Sequence, residues 1–279
     1  MSIVSTSVAE LLKKTERLFS ESSIPSPRLD AEVLLAYLLE VKREWLVAHS
    51  DEELSSHIKN EFEVLVEQRL NREPVAYIIG NKEFYGREFI VTPEVLIPRP
   101  ETEALIDMVK EYVHPGTRVL DVGTGSGCIG ITLKLEHPTL NMTLGDISEV
   151  ALDIARKNAH MLGAKPLRFV ISDLLEHWLS HQHPKSFDLI VANLPYVDST
   201  WKRSPETDYE PELALFASDH GLELIKRLID QCPGLLSCDS YVFLEADPEQ
   251  HKAIIERATQ NGLVIETVRD YILVFKMDR

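Results

Sequence analysis

The sequence predicts an α/β fold: a Rossmann-like parallel sheet with helices on both faces, ending in an antiparallel hairpin. A small all-α bundle and a β-hairpin linker come first. Three observations predict this. Only helical patterns occur up to about residue 75, strand and helix patterns alternate from about residue 117, and the chain closes on two adjacent strand patterns. Alternation calls for a parallel sheet, because parallel neighbours need a crossover and the crossover helices cover the faces. The expected division is residues 1–75 for the helical domain, 76–97 for the hairpin linker and 98–279 for the α/β domain.

In the first segment Leu11, Leu12 and Leu18, then Leu34, Leu35, Leu38 and Leu39, recur at helical spacing. Ser26-Pro27 reads as an N-cap followed by proline at the first helical position, and Asp51 is placed to cap a helix over Glu52–Arg72. No ionisable cluster here looks catalytic, so packing and partner recognition are the expected roles. Aromatic and β-branched residues flank a glycine turn in Glu83-Phe84-Tyr85-Gly86-Arg87-Glu88-Phe89-Ile90-Val91, which reads as a hairpin. In Ile97-Pro98-Arg99-Pro100-Glu101-Thr102-Glu103, two prolines force an extended entry into a helix with an acidic first turn.

Strands are expected at 117–122, 141–146, 167–171, 187–192 and 240–245, and helices at 128–136, 149–162, 219–231 and 247–261. Leu263–Val268 and Tyr271–Met277 then form two strands joined by an Arg269-Asp270 turn. An antiparallel terminal hairpin on a parallel sheet is the edge arrangement of the class I S-adenosylmethionine-dependent methyltransferase fold. A simple dinucleotide-binding domain is not expected to have it.

At 279 residues, with 44% apolar and 27% charged residues, the chain suits one large domain and a small one. The net charge of −16 disfavours a generic nucleic-acid binder, since phosphate backbones are held by clustered Lys and Arg. It favours a protein or small-molecule substrate, basic protein surfaces in particular. Cys128, Cys232 and Cys238 are scattered and form neither a disulfide framework nor a metal quartet, so no metal is expected. No apolar run reaches the ~18 residues of a membrane helix, and the opening MSIVSTSVAELLKK lacks the pattern of a signal peptide. A cytoplasmic monomer that makes no membrane contact is the expected setting.

The first predicted strand of the α/β domain runs into Asp121-Val122-Gly123-Thr124-Gly125-Ser126-Gly127. The dinucleotide fingerprint would need glycine where Cys128 stands, and no lysine follows at P-loop spacing. Glycines that do not cradle phosphate still let a ligand lie against the backbone. That suits the aminocarboxypropyl arm of S-adenosylmethionine, although a structural turn or another nucleotide site also fits the loop alone. Asp146 ends the next strand, where a carboxylate can accept from ribose hydroxyls, while Ser148 is the better N-cap of the following helix. Past the third strand, Asp173 is either an acceptor for an adenine amino group or a turn-capping residue, with Leu174 placed to cover the ring. Ligands of open α/β sheets bind beyond the carboxyl ends of the strands, and three successive ends bear suitable residues.

A fourth strand end, after Phe187–Ala192, carries Asn193-Leu194-Pro195-Tyr196. A planar nitrogen is a poor nucleophile because its lone pair is delocalised. To attack a sulfonium methyl it must be held in line with its hydrogens accepted by fixed oxygens, which bind more strongly as the nitrogen becomes positive. Asn193 offers a side-chain carbonyl, Leu194 a backbone carbonyl and Tyr196 a ring face for stacking. A polar strand-closing turn with a half-buried Tyr196 competes on the tetrapeptide alone; the neighbouring glycine loop favours the binding site.

These residues resemble the glutamine-N5 methyltransferases of peptide-chain release factors, the PrmC/HemK family. Further shared stretches are Glu73-Pro74-Val75-Ala76-Tyr77, Asp146-Ile147-Ser148 and Tyr209-Glu210-Pro211-Glu212-Leu213-Ala214-Leu215. The resemblance implies a helical substrate-recognition domain before a methyltransferase domain, and methylation of the glutamine amide in the release factor's Gly-Gly-Gln motif. It implies cofactor contacts at Gly123, Thr124, Gly125, Ser126, Gly127, Asp146, Leu174 and Asn193. Glutamine binding falls to Asn193, Leu194, Pro195 and Tyr196, with Asn193, Pro195 and Tyr196 as the catalytic set. The family tetrapeptide is normally Asn-Pro-Pro-Tyr, so Leu194 forfeits a fixed φ and leaves its carbonyl less preset. The competing substrates are a ribosomal-protein glutamine and the adenine N6 of nucleic acid.

Overall fold

The structure is a computed structural model that describes residues 6–180 and 187–278, so the first residues of the opening stretch lie outside it. Two units result: one holds the residues up to Gly80 with Ser204–Tyr209, the other Asn81–Arg203 and the residues from Glu210 on.

Helices α1 (Val8–Glu21), α2 (Pro27–Leu38), α3 (Arg43–Ala48), α4 (Ser56–Leu70) and α5 (Val75–Ile79) build the first unit. Leu11, Leu12, Leu34 and Leu35 enter its core with Phe19 and Phe62, while Leu18 stays exposed. Two details differ from the sequence reading. Ser26 precedes Pro27 at the N-cap but makes no side-chain capping bond. Asp51 caps nothing in α4, because β1 (Thr6–Ser7) pairs with β2 (Glu53–Leu54) and holds that stretch extended. The helix starts at Ser56, with the Ser55 hydroxyl accepting from the Ile58 N–H at 3.3 Å. Ser204–Tyr209 joins this unit through polar bonds. Buried Arg69 binds Asp30 at 2.8 Å and Glu206 at 2.9 Å, Arg72 adds a bond to Glu206 at 3.1 Å, and the Tyr209 hydroxyl donates to the Asn71 carbonyl at 2.7 Å.

The second unit opens with the predicted hairpin, β3 (Asn81–Phe84) and β4 (Arg87–Ile90). Tyr85 and Gly86 both have positive φ, as a two-residue turn matched to strand twist requires. A seven-stranded sheet follows: β5 (Arg118–Val122), β6 (Asn141–Asp146), β7 (Leu167–Ile171), β8 (Phe187–Ala192), β9 (Leu236–Glu245), β10 (Leu263–Arg269) and β11 (Ile272–Met277). Their order is β10-β11-β9-β8-β5-β6-β7. Strands β5 to β9 run parallel, and β11 and β10 are antiparallel additions at one edge.

The helices are α6 (Glu103–Val109), α7 (Cys128–Glu136), α8 (Glu149–Leu162), α9 (Glu176–Ser180), α10 (Glu212–Leu215), α11 (Ser218–Gly221), α12 (Glu223–Gln231) and α13 (His251–Gln260). Successive strand residues alternate between two cores. Leu120, Ile190, Ala192, Val242 and Leu244 share one with α12 and α13; Val119, Leu189, Val191 and Phe243 share the other with α6, α7 and α8. Burying each such aliphatic side chain contributes roughly 1.5–3 kcal/mol.

The helix expected from 219 begins at Glu223, because Asp219, His220 and Gly221 all take left-handed φ. That expected at 247 opens as a 3₁₀ turn over Pro248–Gln250, β9 begins earlier than 240, and the last turn falls at Asp270-Tyr271. The functional consequence lies in the strand order. The chain moves from β5 out to β6 and β7, then returns to place β8 on the other side of β5. Val122 pairs with both Gly145 and Ala192, and Ala192 with Leu244, so four strand ends stand level at this switch point. A crevice opens there in doubly wound sheets.

Candidate active site

A cavity of about 390 Å³ lies beyond the carboxyl ends of these strands. Its walls include Gly123, Thr124, Gly125, Ser126, Asp146, Asp173, Leu174, Asn193, Leu194 and Pro195. Gly127 and Tyr196 do not line it.

The loop after β5 is held by its own backbone. Gly123 and Thr124 donate to the Gly145 carbonyl at 2.9 and 3.0 Å, and Gly127 donates back to Thr124 at 2.8 Å. At Gly127, φ is +83° and a Cβ would fall 2.6 Å from Ile131, so glycine here lets α7 start and pack. Gly125 is the contrasting case, where a Cβ would meet nothing within 4 Å, leaving the backbone bare toward open space.

Asp121 anchors the loop from beneath. Its Oδ2 accepts from the Thr124 hydroxyl at 2.5 Å and the Gly130 N–H at 2.9 Å, while Oδ1 has no partner. Burial pushes this carboxyl up to about 7. Asn158 anchors it from α8: its buried amide donates to the Ser126 carbonyl at 2.9 Å and exchanges two bonds with the Ile90 backbone.

Asp146 lies at the end of β6, as expected, and Ser148 caps α8 by accepting from Ala151 at 3.2 Å. The Asp146 carboxylate already accepts from the Gly125 N–H and the Ser148 N–H, both at 2.9 Å. Each oxygen keeps lone-pair capacity on the cavity side. Burial raises its pKa, and these backbone donors oppose the rise. The Asp173 carbonyl accepts from the Glu176 N–H at 3.0 Å, closing the turn before α9, while Arg227 of α12 holds the Asp173 carboxylate at 2.7 Å. Leu174 is buried in the wall with φ of +48°, a conformation that costs a branched residue about 1–3 kcal/mol. It is held because the Ser172 hydroxyl donates to the Leu174 carbonyl at 2.8 Å and the Leu175 N–H donates to Gln231 at 2.9 Å.

At the end of β8 the Asn193 amide donates to the Thr102 hydroxyl at 3.1 Å. Leu194 turns inward to the core and is only 4% exposed; its Cδ2 would lie 2.9 Å from a Cβ on Gly123. Burial of the side chain thus fixes this residue where a proline ring would fix φ. Tyr196 departs from the expected stacking platform. Its ring is half-buried against the core, its hydroxyl donates to Glu245 at 3.4 Å, and burial raises its pKa. Its carbonyl accepts from the Gln250 side chain at 2.8 Å. Gly221 passes so close that a Cβ would sit 1.9 Å from that carbonyl.

Sequence reasoning missed Thr102, Glu245, Gln250 and the pair Arg99–Glu210. Glu210, buried, accepts from Arg99 and from the Ile97 N–H, so two motifs far apart in the chain meet at the cavity wall. Glu245 was within reach of the signal used for Asp146, an acid closing an apolar strand run.

Residues 10–80 match the family model for the PrmC N-terminal domain, and residues 100–206 that for the methyltransferase small domain. A release factor glutamine methyltransferase of Leptospira interrogans is 40% identical, covering 92% of this chain and 91% of the relative. That of Chlorobaculum tepidum is 36% identical over 98% and 95%. This chain belongs to the release factor glutamine methyltransferase family. Membership bears out the resemblance read from the motifs. In Koribacter versatilis a protein of the same name is 44% identical over 74% of each chain. Among solved structures, a methyltransferase from Pyrococcus furiosus has a TM-score of 0.53 at 16% identity, covering 79% of this chain and 99% of that one, a likeness of fold alone. No helix among the described residues is long and apolar enough to cross a membrane.

Proposed function

We propose that this protein transfers a methyl group from S-adenosylmethionine to the side-chain amide nitrogen of the glutamine in a release factor's Gly-Gly-Gln motif. The observation that carries this reading is the shared cavity. The glycine loop of β5 and the amide of Asn193 at the end of β8 line one space, in a chain of this family. The residues fit the cofactor: Gly125 offers bare backbone, Asp146 a carboxylate with capacity to accept, and Leu174 an apolar wall. When bound, S-adenosylmethionine supplies an electrophilic methyl group on its sulfonium.

The remaining chemistry belongs to the protein. Asn193 Oδ1 and the Leu194 carbonyl accept the two N–H bonds of the substrate amide and aim its nitrogen. As that nitrogen gains positive character, both acceptors bind it more strongly, which lowers the barrier. Pro195 stiffens the turn, and Tyr196 supports it from behind through its hydroxyl and carbonyl. No strong general base is needed, since the proton is acidic once the nitrogen is alkylated and can leave to water.

In this reading residues 1–75 recognise the release factor, and the protein works as a cytoplasmic monomer. The test is transfer of radiolabelled methyl to purified release factor, with its Gln→Ala variant as control. Label in the first and not the second supports the reading, and no label in release factor refutes it.

A further inference from the structure

The Asn193 amide can sit either way round, and only one way serves an amide substrate. An acceptor facing the substrate NH₂ binds it, whereas a donor facing it repels. Thr102, the hydrogen-bond partner of Asn193, cannot decide the matter alone, because a hydroxyl both donates and accepts.

Glu245 stands behind both. It ends β9, and since Ala192 pairs with Leu244 the register sets it abreast of Asn193. It is 2% exposed, its Oε1 accepts from the Tyr196 hydroxyl at 3.4 Å, and its Oε2 has no partner. Burial raises its pKa, and hydrogen bonding from Thr102, Tyr196 and Asn193 pulls it back. Oε2 is thus left as a buried acceptor on the side of Thr102 and Asn193, and a carboxylate in its ionised form can only accept.

We propose that Glu245 is the positioning residue that sets hydrogen-bond direction at the acceptor end, and with it the preference for an amide over a carboxylate. The carboxylate takes the single proton of the Thr102 hydroxyl. Thr102 therefore presents a lone pair to Asn193, whose NH₂ turns toward it and whose Oδ1 is left for the cavity. A substrate glutamate would meet acceptor against acceptor. This inference rests on the proposed role of Asn193–Tyr196 as the glutamine-binding turn.

The experiment measures kcat and KM for release factor, cofactor affinity and thermal unfolding in the wild type, Glu245→Gln, Thr102→Val, Thr102→Ser and the double variant Glu245→Gln/Thr102→Val. Glutamine at 245 donates as well as accepts, so the chain of bonds can run backwards. Its kcat falls roughly ten- to a hundredfold, the range of one charge-assisted hydrogen bond, while cofactor affinity and unfolding temperature hold. Thr102→Val loses as much, Thr102→Ser recovers most of the rate, and the double variant is no slower than Thr102→Val alone, because both act through one chain of bonds.

Near-wild-type kcat in Glu245→Gln, or losses that multiply in the double variant, overturns the proposal. Should Glu245→Gln not fold, the threonine pair decides, and equal rates for Val and Ser overturn it. Failure of the functional reading looks different: the wild type itself leaves release factor unlabelled, and both fall.

Discussion

Replacing Asp121 with asparagine isolates one buried charge beneath the glycine loop of β5. An unfolded aspartate titrates near ~3.9. In the folded protein burial pushes the Asp121 carboxyl up to about 7, with Asp146 adding to the rise and the Thr124 and Gly130 bonds opposing it. Over that interval the folded state binds more protons than the unfolded state. The stability this carboxyl contributes is therefore whole below its unfolded pKa and is lost as pH rises through about 7. The interval corresponds to at most about 4 kcal/mol, reduced to on the order of 2 kcal/mol as dipoles and water relax around the charge. The asparagine oxygen can keep both donors that now bind Oδ2, and its NH₂ falls where Oδ1 has no partner, a pH-independent cost of about 1–3 kcal/mol. Urea unfolding of both proteins from about pH 4.5 to about pH 8 measures the difference directly. Taking the difference cancels Asp146 and Glu245, which burial also raises. The variant should gain on the wild type by on the order of 2 kcal/mol up to about pH 7 and hold level above it. Parallel profiles would refute the assignment of a raised pKa to Asp121.

Three further outcomes follow from the geometry. Asn193→Ala should lower kcat by roughly 10²–10³-fold, as loss of one preorganised polar contact does, with cofactor affinity by calorimetry largely spared. A near-wild-type rate would remove the orientation argument. Asp146→Ala should weaken cofactor binding roughly ten- to a hundredfold, because it strands the Gly125 N–H as well as deleting an acceptor. Unchanged affinity would end its ribose role. Leu194→Pro should keep turnover per folded molecule but lower stability by about 2 kcal/mol, since it empties a buried position beside Gly123. Lost turnover at unchanged stability would show that the turn needs leucine for its shape.

The α/β order and most element bounds were legible because each strand and helix carries its own period, as in α7 and α8, whose limits match the reading residue for residue. What escaped depends on partners remote in sequence. Asp51 looked like a cap until Glu53-Leu54 found a strand near the N-terminus. Asp173 read as an adenine acceptor or a turn cap, and nothing near it in the chain announced the ion pair that Arg227 of α12 makes with it. Tyr196 looked like a platform because a strand-end aromatic carries no mark of which way it faces, and here it faces the core. Asn158, an amide amid a helical pattern, gave no hint that it ties the loop to the hairpin.

The clamp on Tyr196 also bears on the order in which the protein becomes competent. Gln250, which fixes the Tyr196 carbonyl, lies 54 residues further along the chain, and Glu245 lies 49 residues beyond Tyr196. During synthesis the glycine loop, Asp146 and Leu174 all emerge before the acceptor turn has either support. In the proposed function the donor end is therefore synthesised first, and the turn gains both of its supports only after β9 and the Pro248–Gln250 turn have left the ribosome.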